Sequence, residues 1–207
     1  MDDETGQPAR RARGDTRERI QAVALELFAE HGYEKTSQRE VAERLGVTKA
    51  ALYYHFKSKE DIVRSFTEDY VTDLDALIAW GAAQPRTDET RGLLLDRYSV
   101  IVGHRLPVMR FLEQNQAAVH QLMTEGQRDR HQLFRTQFER LRDLLAGPDA
   151  PLRDRVRASV AVVSVGISCL LFDKEAGAPG ELHDIALETA CELVGVEQPA
   201  GAGQPVG

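Results

Sequence analysis

The chain has 207 residues, 42% of them hydrophobic and 29% charged, with two cysteines and a formal net charge of −7. Those proportions suit a globular chain that buries a core without disulfides or metal, and they exclude a disulfide scaffold and a Cys-rich zinc site. Aromatic residues make up 6%, no segment alternates β-branched and polar residues, and the longest uncharged run, Ala158–Phe172, is short for a membrane span. The expectation is an all-α fold with no membrane segment. Cys169 and Cys191 form no CxxC pair, and the opening MDDETGQPARRARGD has no charged-then-apolar leader, so a reducing cytoplasm is the expected setting.

Punctuation marks about nine helices. Asp15 and Glu18 can cap a first helix with Ile20, Val23, Ala24, Leu27 and Phe28 on one face and Gly32 as its stop. Ser37 and Glu40 form a capping box for a short second helix ended by Gly46. A third runs from Thr48 to Tyr54. A fourth opens at Ser58 and carries Ile62, Val63, Phe66, Tyr70, Leu74, Leu77 and Ile78 to a stop near Gly81. Leu94, Tyr98, Ile101 and Val102 mark a fifth, and Pro107 is expected to start a separate short helix. Further helices are expected around Ala117–Thr124, through Leu133–Leu145, over Pro151–Asp173, and after the loop Ala176–Gly180. Residues 1–14 and the uncharged 198–207 are expected to be a disordered basic arm and tail.

Charge is unevenly spread. Residues 1–60 balance, residues 61–207 carry the whole deficit, and residues 35–59 hold six bases (Lys35, Arg39, Arg44, Lys49, Lys57, Lys59) against Glu40 and Glu43. A local cationic surface is what DNA affinity requires, whatever the sign of the whole chain. The same segment, TSQREVAERLGVTKAALYYHFKSK, is two short helices at a tight corner. Val41, Ala42 and Leu45 point inward from the first, Gly46 turns the chain, Val47 plugs the corner, and Ala51 and Leu52 pack back. This is a helix-turn-helix, whose second helix enters a major groove.

The combination of Phe28, Gly32-Tyr33, Thr36, Ala42-…-Gly46-Val47, Leu52-Tyr53-…-His55-Phe56 and Lys59-Glu60 resembles the TetR family of transcriptional repressors over about Arg17–Val63. The resemblance implies a helix-turn-helix domain over 15–58, a helical ligand-binding and dimerisation domain over 59–197, a palindromic double-stranded DNA operator, and a homodimer through the last two long helices. Thr36 and Ser37, at a helix N-terminus, suit a phosphate. Arg39 can reach a base edge or phosphate. Thr48, Lys49 and Ala50 form the first turn of the recognition helix, with Lys49 able to donate to guanine and Ala50 able to touch a thymine methyl. Family members commonly have Gly or Pro near Ala50, a departure here. Tyr53, Tyr54, His55 and Lys59 are expected near the phosphate backbone, and Arg10, Arg11 and Arg13 in an adjacent minor groove.

A small apolar or aromatic effector would be lined by residues drawn from Trp80, Tyr98, His104, Met109, Phe111, His120, Met123, Phe134, Phe138 and Cys169. The rival readings are a regulator without induction, constitutive or co-repressed, and a helical enzyme. The chain has no GxGxxG, P-loop, HExxH or GxSxG, its six histidines have no metal-ligand spacing, and no catalytic residue, cofactor or metal is expected.

Overall fold

The computed structural model describes residues 7–115, 127–172 and 180–199. Every regular element among them is an α-helix: α1 (Gln7–His31), α2 (Gln38–Leu45), α3 (Lys49–His55), α4 (Lys59–Ala82), α5 (Asp88–Gln114), α6 (Gln127–Ala146), α7 (Leu152–Leu171) and α8 (Glu181–Val194). The all-α expectation holds. The helix expected around Ala117–Thr124 lies outside the described residues.

Two helices differ from expectation. α1 begins at Gln7, so residues 7–14 continue the helix instead of forming an arm. Alanines and arginines at 9–13 are strong helix formers and outweigh the roughly 1 kcal/mol that Gly14 costs. α5 runs without a break through Pro107. The proline removes one N–H and crowds the carbonyl four residues back, but that residue is Gly103, beside which a Cβ would meet open space. Val102, Val108 and Phe111, buried on either side of the proline, hold the helix on course.

The described residues fall into two compact units. The first, the head, comprises residues 7–68 and 110–115. Its core is Ile20, Ala24, Leu27 and Phe28 of α1, Tyr33, Val41 and Ala42, Leu52, Phe56, Ile62, Val63 and Phe66, all buried. Phe111 of α5 is buried here too, stacked on Phe28 at 5.2 Å and lying 6.0 Å from the ring of Tyr33. The unit boundary therefore falls inside α4 after Glu68, ten residues beyond the punctuation at Ser58, because Ile62, Val63 and Phe66 belong to the head.

The second unit comprises residues 69–109, 127–172 and 180–199 among those described. Leu74 and Leu77, Leu94, Leu95, Tyr98 and Val102, Leu141 and Leu145, and Leu187, Ala190 and Cys191 form its core around α7. α7 presents Ala158, Ala161, Val162 and Val165 to that core at helical spacing. Arg91 secures two helix ends, with Nε donating to Leu145 O at 2.8 Å and Nη2 to Val194 O at 2.7 Å. These are the orphan carbonyls that a helix C-terminus leaves unpaired. Beyond α8 the chain lies against α5, where a Cβ on Gly92 would stand 2.9 Å from Glu197 O. The expected tail is placed as far as Pro199, and residues 200–207 lie outside the described residues.

Both cores can be tested by substitution. Phe111→Ala should destabilise the head by about 3–5 kcal/mol, as removal of a buried aromatic does, while Phe111→Leu should cost less, both read by urea unfolding followed through circular dichroism. Burial pushes the Cys191 thiol from its ordinary 9.0 to about 11, with nearby Asp96 adding to the effect. A group with a raised native pKa loses its contribution as pH climbs. Stability should therefore fall between about pH 9 and 11, and Cys191→Ala should remove that part of the decline.

Candidate nucleic-acid interface and small-molecule cavity

The corner between α2 and α3 is built from local chemistry. Ser37 caps α2: its hydroxyl accepts from Glu40 N at 3.3 Å while the Glu40 carboxylate accepts from Ser37 N at 2.7 Å. Gly46 closes the helix at φ 69°, and its N–H points back to the Ala42 and Glu43 carbonyls. A side chain at that φ would be strained. The Thr48 hydroxyl then accepts from Ala51 N at 3.1 Å and starts α3. α3 is anchored by Leu52, fully buried, by Phe56, and by the Gln38 amide donating to Phe56 O at 3.1 Å. Ala51, expected to pack inward, is exposed, and Val47 is half-buried.

This anchoring turns the rest of α3 outward. Thr48, Lys49, Ala50, Tyr53 and Tyr54 are exposed, Tyr54 at 62%. Lys57, counted among the six bases but not among the expected DNA contacts, sets its ammonium 4.5 Å from the centre of the Tyr53 ring. The two are four residues apart, which is the signal that sequence offered. His55, half-buried, meets Tyr54 edge-to-face at 5.3 Å. Arg39 is 80% exposed, with Nε on Glu43 at 2.7 Å.

Two residues expected at the interface are turned inward. Thr36 is buried, its hydroxyl donating toward Leu27 O at 3.1 Å and Gly32 O at 2.9 Å, and its N–H donating to Gly32 O. It ties the end of α1 to the start of α2 and has no surface to offer a phosphate. Lys59 donates from Nζ to Tyr33 O at 2.6 Å and sits 4.0 Å over the Tyr33 ring. Tyr33 in turn donates its hydroxyl to Glu60 at 3.1 Å. Burial, then the Glu60 charge, hold the Tyr33 hydroxyl above its ordinary range, so it remains a donor. Lys59 thus joins α4 to the α1–α2 loop. Arg10, Arg11 and Arg13 lie on α1 instead of an extended arm.

In the second unit, Tyr70, Leu74, Tyr98, Phe134, Arg135, Gln137, Phe138, Leu141 and Val162 line a cavity of about 310 Å³. Of the expected effector contacts, Tyr98, Phe134 and Phe138 are brought together here. Trp80 lies elsewhere, under the Arg97 guanidinium at 4.0 Å. Ten residues from Tyr70 is roughly 280° of helical rotation, which turns it to another face of α4. His104 is exposed, Met109 is half-buried outside the lining, and Phe111 is in the head. His120 and Met123 lie outside the described residues, as does the Cys169 side chain. Tyr70, Leu74, Leu141 and Val162 were legible as apolar stripes but not as cavity walls, because periodicity marks burial and does not mark where packing is incomplete. No cluster of described residues could hold a metal, and no described helix is long and apolar enough to cross a membrane.

A profile of bacterial regulatory proteins of the tetR family matches residues 20–66, the stretch that builds the head. That segment, residues 20–66, is thus similar to the regulatory proteins of the tetR family. The regulator AcrR of Shigella flexneri is 44% identical over 54 residues, 26% of this chain and 25% of that protein. The repressor KstR2 of Mycolicibacterium smegmatis is 35% identical over 69 residues, 33% of this chain and 31% of that one. The chain thus spans a third or less of these relatives' length. The TetR-family regulator PfmR of Thermus thermophilus superposes with a TM-score of 0.65 over 86% of this chain and 97% of its own, at 21% identity, which establishes the shared fold. AcrR is a transcriptional regulator and KstR2 a transcriptional repressor, both of the helix-turn-helix type.

Within the head, the two lysines of the KSK segment separate by measurement. Lys59→Met should cost about 1.5–3 kcal/mol of stability, the worth of a charge-assisted bond to a part-buried carbonyl. Lys49→Ala and Lys57→Ala, on the exposed surface, should stay within about 0.5 kcal/mol of the parent. Thermal unfolding of the three variants checks the contrast.

Proposed function

We propose that the protein is a DNA-binding transcriptional repressor that a small apolar or aromatic molecule releases from a palindromic operator. The observation that carries this reading is the outward face of α3. Lys49 and Ala50 stand exposed in its first turn, the part of a recognition helix nearest the bases, while Leu52 and Phe56 hold the helix from behind. Lys49 can donate to guanine O6 and N7, and Ala50 can meet a thymine methyl. Ser37, Tyr53, Tyr54 and Lys57 offer donors to flanking phosphates, and Arg39 reaches either a phosphate or a base edge. Thr36 and Lys59 act indirectly, by holding α2 and α4.

One recognition helix covers few base pairs, so the reading includes a homodimer, two heads about one helical turn of DNA apart. α7 supports it. Opposite its buried face it carries Leu152, Val156, Val160, Val163, Ile167 and Leu171, each roughly half exposed or more, with Ile185 exposed on α8. Their spacing of three and four residues makes one continuous apolar stripe, which a second copy covers with its own to form a four-helix bundle.

The cavity supports control by a ligand. Its wall includes Tyr70 and Leu74 of α4, and Phe66, one turn before Tyr70 on the same helix, is buried in the head core. A ligand that prefers one placement of α4 biases the head, and it shifts the equilibrium by its difference in affinity for the two states and no more.

The test is selection of bound fragments from genomic DNA, followed by anisotropy titrations with the full chain. A near-palindromic site is expected, with Lys49→Ala relaxing preference at particular base pairs by about 1–3 kcal/mol. Lys57→Ala should weaken all sequences alike and reduce the salt slope by about 1. Val160→Asp should yield a folded monomer in sedimentation with weakened operator binding. A lone asymmetric half-site, or a parent protein monomeric at micromolar concentration, rules the dimer out. An operator affinity unmoved by a ligand seated in the cavity favours a constitutive regulator.

A further inference from the structure

The polar tie at the end of α3 bears on how DNA is read. Resting on the reading that the outward face of α3 meets base edges, we infer that Gln38 is a positioning residue for sequence selectivity. Its side-chain amide, bonded to the Phe56 carbonyl, sets the rotation at which α3 presents Lys49 and Tyr53.

Apolar packing leaves that rotation open. α3 has seven residues, too few to hold a shape alone. Leu52 and Phe56, both buried, fasten it from behind. They stand four residues apart, so they lie on one line along the helix. Apolar contact is non-directional, and contact along one line lets the helix roll about it. Lys49 and Tyr53, also four apart and both exposed, form the adjoining line. Side-chain tips stand about 6 Å from a helix axis, so a roll of about 20° carries them about 2 Å, beyond the narrow range in which a hydrogen bond holds.

A directional bond at one end stops the roll. Gln38 Nε2 donates to Phe56 O at 3.1 Å. Phe56 is the C-cap of α3, and its carbonyl is of the kind that a helix end leaves without an intrahelical partner. The start of α2 does not need the Gln38 side chain for capping, because Ser37 and Glu40 close it between them. Gln38 is placed in turn by what precedes it: the buried Thr36 hydroxyl bonds Leu27 O and Gly32 O at the end of α1. The Arg17 guanidinium also covers Phe56, 5.1 Å from the ring centre. Lys57 follows directly, its ammonium on the Tyr53 ring, so holding the Phe56 carbonyl also holds the point from which Lys57 departs.

Such a residue matters more for the right sequence than for the wrong one. Base-edge contacts are met at one orientation only, whereas phosphates recur along any duplex. Freeing the roll of α3 therefore lowers affinity for the operator and leaves non-specific affinity and its salt slope where they were. A phosphate contact from Gln38 itself would instead weaken all sequences alike.

The test uses the full chain, the tightest fragment from the genomic selection, and a shuffled duplex of equal length and composition. Gln38→Met keeps the reach of the side chain and removes its donor. It should bind the selected fragment about tenfold more weakly, one hydrogen bond's worth. It should bind the shuffled duplex as the parent does, with the same salt slope. Loss of fold weakens both duplexes together and so does not imitate that split, and thermal unfolding identifies it. A second measurement needs no variant: in the parent, one Gln38 side-chain amide proton should exchange slowly with water, both free and on the selected fragment. Equal loss on both duplexes by a folded Gln38→Met, loss on neither, or fast exchange of both amide protons overturns the positioning role while the DNA-binding reading stands. A parent that prefers no fragment to the shuffled duplex overturns both.

Discussion

The head depends on how the end of α1 is fastened. Helices as short as α2 and α3 are marginal alone, so their angle must be imposed by something larger. Phe28 meets Tyr33 edge-to-face and Phe111 in a stack, and Phe66 approaches Phe111 at 6.5 Å. This cluster draws rings from α1, the following loop, α4 and α5 into one site. Lys59 and Thr36 then take the carbonyls of Tyr33, Leu27 and Gly32. With the loop fixed, Ser37 is placed to start α2, and the outward face of α3 follows from where Leu52 and Phe56 can be buried.

That arrangement separates stability from recognition. Residues that look alike in sequence take opposite parts: Lys59 turns in and Lys57 turns out, Thr36 is buried and Ser37 is exposed. In each pair the inward member donates to a backbone carbonyl at the end of α1 or in the loop after it, and the outward member stays exposed. α3 is held from behind by Leu52 and Phe56, and Thr48, on its exposed side, caps its start.

The second unit makes the same separation on a larger scale. α7 spends its small face, Ala158, Ala161, Val162 and Val165, on the unit's own core and leaves its larger apolar side chains outside. Small residues let α8 and α6 come close. Large ones on the opposite face remain for a surface of matching shape. Near Val162 the packing stops short, and aromatic rings border the cavity that remains.

Much of this was legible in the sequence, for a physical reason. Capping boxes, glycine stops and helical spacing act over three or four residues, so the limits of α2, α3, α6 and α8, the corner at Gly46 and the exposure of Lys49, Tyr53 and Tyr54 could be read from neighbours in the chain. What depended on distant partners could not. The course of α5 through Pro107, the placing of Phe111 in the head, the inward turn of Thr36 and Lys59, and the gathering of Tyr70, Tyr98, Phe134 and Val162 into one cavity each join residues far apart in sequence. Local pattern says which side chains avoid water. Tertiary packing decides which of them meet, and where they fail to fill the space between them.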